Sequence, residues 1–112
     1  MTNLVIKVAE DYSATPLGRY RKHGEFSGQR FREDFLIPAI EKYENITIDF
    51  DGVAGLPSSF LEEAFGGLVR TGNVTAKEFF ARVVIMATNP SLTLAKDRVR
   101  RYVSAAEVST FG

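Results

Sequence analysis

A short β-branched run, Ile46-Thr47-Ile48-Asp49-Phe50, is followed at once by a glycine-containing loop and then by apolar side chains at helical spacing: Phe60, Leu61, Ala64, Phe65, Leu68 and Val69. The first pattern suits one strand and the second one face of a helix. Pro57, Ser58 and Ser59 stand at the turn between them. A helix start leaves backbone N–H groups unpaired and carries partial positive charge, so it favours a nearby anion. Strand, loop and helix therefore place two hydroxyls at a position suited to phosphate. The functional spot is expected here.

The remaining elements are read around this unit. Leu4 to Ala9 is apolar and β-branched and reads as a first strand, with a weaker extended run at Leu17 to Arg21 expected to close an antiparallel pair with it. Ser27-Gly28 opens a helix to about Lys42, with a kink or displaced start expected from Pro38 inside it. Thr75 and Glu78 have the spacing of a capping box before a short helix. Val83 to Ala87 reads as a buried strand parallel to Ile46 to Phe50. Asn89-Pro90 starts a last helix with Asn as cap. The expected core comprises Phe31, Leu36, Ile48, Phe50, Phe60 and Phe65, with Leu68, Val84, Met86 and Val99 beside them.

Length and composition bound the function. A chain of 112 residues fits one domain over 1–112, with a frayed tail expected at about 108–112. Lys plus Arg equals 14 and Asp plus Glu equals 14, so no global charge favours nucleic acid or a membrane surface. Absence of cysteine excludes disulfides, thiol catalysis and thiolate metal sites, and His23 is the one imidazole. No metal or cofactor is expected. No twenty-residue apolar run or leader-like segment is present, so a cytoplasmic protein is expected.

Ile48-Asp49-Phe50-Asp51-Gly52-Val53 with Ser58-Ser59-Phe60-Leu61 resembles the core of a STAS domain, the fold of bacterial anti-sigma-factor antagonists. More closely, Phe26-Ser27-Gly28, Phe31-Arg32, Pro38-Ala39 and the stretch Ser58 to Gly66 resemble a family of STAS-like proteins of unknown function. The resemblance implies an α/β STAS-like domain, a mixed four- to five-stranded sheet with helices packed on it. It also implies a regulatory binding module rather than an enzyme. STAS antagonists bind a histidine-kinase-like ATPase and are switched off when it phosphorylates a serine at this helix start. Carried over, the acceptor is Ser58, with Ser59 beside it. Antagonists commonly carry Asp before the acceptor and Gly soon after, where this chain has Pro57 and Phe60.

Plainer readings stand beside these. Ser58 and Ser59 can serve as helix caps, and Ser59 with Glu62 has capping-box spacing. Asp51 is expected to accept from loop N–H groups. Gly66-Gly67 within a helix points to close packing. Arg19 and His23 belong to a local basic cluster that, with Asn89, forms a secondary surface. Three functions remain open: partner switching at the Ser58 edge, a small-molecule or nucleotide sensor using the same helix start, and a small serine hydrolase that needs His23 to reach Ser58 or Ser59. A monomer and a homodimer both fit.

Overall fold

A computed structural model describes the backbone of residues 2–111 and the side chains of residues 2–107. The frayed tail expected over 108–112 falls outside the described side chains. Strands β1 (Asn3–Lys7), β2 (Asn45–Asp49) and β3 (Val83–Met86) form a three-stranded sheet in the order β1-β2-β3. Both pairings are parallel, which brings Ile6, Ile48 and Ile85 into one row and Leu4, Ile46 and Val83 into another. The parallel pairing of β2 with β3 is the one the sequence implies. Among the described residues the sheet has three strands, all parallel, in place of the mixed sheet of four to five.

The missing strand is Leu17–Arg21. That segment folds back on itself instead, with the Leu17 N–H donating to the Phe26 carbonyl and a 3-10 turn at Arg21–His23. Gly18 has φ +93, a conformation that breaks an extended run. The carbonyls of Gly18 and Arg19 then accept from the N–H groups of Gly28 and Gln29, so the segment closes the next helix start.

Helix α1 runs over 28–42 and helix α2 over 58–70. Each is α-helical at both ends with a π-helical segment between, Arg32–Leu36 in α1 and Glu62–Gly66 in α2. In α1 the widened turn lies just before Pro38, which lacks an N–H and would crowd the preceding turn of a regular helix. Helix α3 (Ala76–Arg82) starts on the Thr75–Glu78 capping box. Helix α4 (Thr93–Phe111) follows a 3-10 turn whose cap is the Asn89 side chain, accepting from Ser91 N–H at 3.0 Å.

Both crossovers step the same way across the sheet, so connections of the usual right hand deliver their helices to one face. Burial agrees: Ile6, Ile48, Ile85, Ile46 and Val83 are covered, while Val5 and Val84 on the opposite face stay exposed. Val84 is 61% and Met86 38% exposed, so both leave the expected core, and β3 is half-exposed rather than buried. The helical layer forms only one wall. The aromatic centre of that layer is Phe65, fully buried, with Phe50 at 6.0 Å and Phe79 at 6.1 Å, both edge-on.

Phe65→Ala is expected to lower stability by about 3–5 kcal/mol through the cavity it leaves. Val84→Ala on the open face is expected to change it by about 0.5 kcal/mol or less. Urea midpoints of the two variants check the assignment of faces.

Candidate functional site

The carboxyl ends of all three strands release loops onto one edge, where open α/β sheets gather ligands. Three backbone and side-chain links tie these loops together. Ala54 N–H donates to the Ala14 carbonyl at 2.7 Å, joining the loop after β2 to the loop after β1. Gly52, at φ +97, brings the turn so close to Ala9 that a Cβ there would lie 3.1 Å from the Ala9 Cβ. Asp51 joins the loop after β2 to the loop after β3: its carboxylate accepts from Thr88 N–H at 2.9 Å, from the Thr88 hydroxyl at 2.5 Å and from Asn89 N–H at 3.1 Å. The Thr88 hydroxyl bond, with those from Asn89 and Thr88 N–H, holds the Asp51 carboxyl below its ordinary range.

Ser58 is exposed and Ser59 half-buried at the first turn of α2. The residue before the helix is Pro57, extended at φ −59 and ψ 145, and no side chain caps the helix. The first helical bond runs from Leu61 N–H to the Pro57 carbonyl. The capping box expected between Ser59 and Glu62 does not form, because Glu62 turns to Arg19 and Arg70 instead. Beside Ser58 lies a shallow apolar depression of about 470 Å³ lined by Thr15, Pro16, Leu17, Ala54, Leu56 and Pro57. Leu17, 64% exposed, stands at its rim.

Other expected members lie elsewhere. His23 accepts from Tyr20 N–H through Nδ1 at 3.2 Å within its own turn, and no described hydrogen bond links it to Ser58 or Ser59. Arg19 is not a free surface cation. It donates to Glu62 at 2.5 Å and to Glu63 at 3.4 Å. Asn89 is spent as a cap, with its N–H on Asp51.

Below Ser58, a charge network joins the two crossover helices. Arg32, buried on α1, donates to the Glu63 carbonyl at 2.7 Å and to its carboxylate at 2.5 Å, and Glu63 is also buried. Gly67 makes room for the guanidinium, since a Cβ there would overlap Arg32 Nη1, and Gly28 lets α1 approach the Phe60 carbonyl. The packing role expected of Gly66-Gly67 is thus met. Burial alone would raise the Glu62 carboxyl, but hydrogen bonds and charge from Arg70 and Arg19 outweigh it and hold it low. The network was not foreseen, although part of its signal is in the sequence: Arg32 shares a helix face with Leu36 and Ala39, four and seven positions on, where a lone charge is costly.

Among the described residues no cluster of His, Asp or Glu could hold a metal ion, and no helix is long and apolar enough to cross a membrane. The fold and the Ser58 edge together define a small parallel α/β domain of STAS-like type. The chain belongs to the family described as a STAS-like domain of unknown function, whose model matches residues 27–93, more than half of its length. No curated protein and no solved structure matches it.

Two outcomes test these contacts. Glu63→Ala, which strands the Arg32 guanidinium in the interior, is expected to cost about 3–5 kcal/mol, and far more than Arg21→Ala, whose ion pairs are solvent-exposed; chemical denaturation compares them. For Asp51 the native carboxyl lies below its unfolded value, so its contribution is present above about pH 4 and is lost as pH falls through the native value. The Tm gap between wild type and Asp51→Asn should therefore be open at neutral pH and close in acid.

Proposed function

We propose that this chain is a regulatory protein-binding module that works by partner switching and docks through the edge carrying Ser58. The observation that carries the reading is an exposed serine hydroxyl at an uncapped helix start, flanked by the apolar depression between Pro16 and Pro57. A shallow apolar surface suits a protein partner better than a small solute, which is normally held in a concave pocket. The partner implied by the STAS resemblance is a histidine-kinase-like ATPase.

In the switching step the ATPase transfers the γ-phosphoryl group of ATP to Ser58 Oγ, the hydroxyl proton leaves, and ADP departs. The phosphoserine brings about −1.5 to −2 charge to the rim of an apolar contact and disfavours docking. The unpaired N–H groups at the start of α2 tolerate that charge locally. The same uncapped start favours a second reading, in which the anionic group of a small molecule or nucleotide occupies the place of the phosphate.

The experiment pairs the chain with the histidine-kinase-like ATPase encoded nearest to it. Wild type should gain one phosphate by intact mass and lose the partner in pull-down. Ser58→Ala should bind and take none. Ser58→Asp should bind weakly while keeping stability to within about 1 kcal/mol, the scale of an exchange at a helix start. Wild type that takes no phosphate, with all three proteins binding alike, removes the switch from Ser58. Calorimetric binding of ATP or ADP to the chain alone, lost in Ser58→Asp, supports the sensor instead.

A further inference from the structure

A groove of about 580 Å³ lies along the open side of β3, and none of its lining residues belongs to the Ser58 edge. Its floor is apolar, with Phe80, Val83, Ile85 and Val99, and one wall is the face of α4 that carries Lys96 and Arg100. β3 is an outer strand of the sheet. Phe50 N–H donates to the Met86 carbonyl at 2.8 Å, so Met86, and by alternation Val84, turn their peptide groups towards β2. Val83 and Ile85 therefore turn theirs outward. The Val83 N–H is taken by the Phe79 carbonyl at the end of α3, leaving the Val83 carbonyl and both Ile85 groups facing the groove.

We infer that this edge binds an extended segment of a partner protein, added as a fourth strand, with carboxylates at alternate positions. Strand addition of this kind draws affinity from main-chain bonds and specificity from alternate side chains. Here the specificity comes from charge. Lys96 and Arg100 are one turn apart, about 6 Å along the helix axis. Residues i and i+2 of a strand are about 6.6–6.8 Å apart. The two spacings match closely enough for two same-face carboxylates to meet two cations. Lys96 has no ion pair among the described residues, and Arg100 has only Asp97, 3.9 Å away with both side chains more than half exposed.

A second copy of the chain does not supply this occupant. Neither of its outer strands, Asn3–Lys7 or Val83–Met86, contains a carboxylate, and pairing β3 with β3 would set Lys96 and Arg100 against their own counterparts.

The test uses a fluorescein-labelled peptide with the core Val-Asp-Val-Asp-Val and its counterpart with both Asp changed to Lys, titrated by anisotropy. The Asp peptide should bind wild type at least tenfold more tightly than the Lys peptide. Lys96→Glu/Arg100→Glu should reverse that order, with an unchanged melting temperature showing that the fold is intact. Hydrogen exchange at the Ile85 amide should slow when the Asp peptide binds. Absence of binding by the Asp peptide, affinity indifferent to the charge reversal, or unchanged Ile85 exchange overturns the inference. A sedimenting dimer that protects Ile85 without peptide also overturns it and gives the edge to a second copy.

Discussion

The contact between Arg32 and Glu63 ties the two crossover helices together where both side chains are buried. Two charges taken out of water cost several kcal/mol each. Here the cost is offset by a carboxylate bond and a carbonyl bond from a single guanidinium nitrogen, with Arg19 and Arg70 completing the surroundings of Glu63. Replacing such a pair by apolar side chains is often neutral or stabilising. Its contribution is better understood as register: only one sliding position of α1 on α2 brings Arg32 over Gly67 and Gly28 against Phe60. Both partners lie in π-helical turns, which shift the helix face locally and allow charged side chains to meet inside an apolar seam. Ser58 stands at the start of the same helix as Glu63, five residues before it.

A second consequence comes from building three parallel strands with all helices on one side. Parallel sheets are normally covered on both faces. Here Val5 and Val84 remain exposed on the far face with Met86, and among the described residues no strand lies beyond β3. Open edges invite pairing, and proteins commonly guard them with charge. On β3 that guard is Lys96 and Arg100, which stand over the groove rather than on the strand itself. Such a guard repels a like-charged strand and admits an acidic one. Protection and selectivity are then the same feature.

The elements that were legible in the sequence are those whose causes are local. The Thr75–Glu78 box, the Asn89 cap and the strand at Ile46 each depend on residues within a few positions. The errors occur where a distant partner outbids a local one. Ser59 and Glu62 have the right spacing for a capping box, yet two arginines, one of them 43 positions away, hold Glu62 more strongly. Leu17 to Arg21 has strand-like side chains, but its carbonyls are drawn to the unpaired N–H groups of Gly28 and Gln29. Val84 and Met86 are as apolar as Val83 and Ile85. Their exposure depends on the number of helical layers, which a four-residue alternation does not encode.

The tying of the three loops bears on how a switch at Ser58 can operate. Asp51 holds the Thr88–Asn89 backbone, Ala54 holds Ala14, and Pro57 leaves the helix start without a side-chain cap to break. A phosphate on Ser58 would therefore displace no existing bond of that hydroxyl. A conformational relay would need two arrangements of this edge with different affinity for the partner, and the bonds from Asp51 and Ala54 hold one of them. The remaining route is direct. On the proposed switch, charge beside the Pro16–Pro57 depression would change the docking energy of a partner that covers it without any bond of the domain having to break.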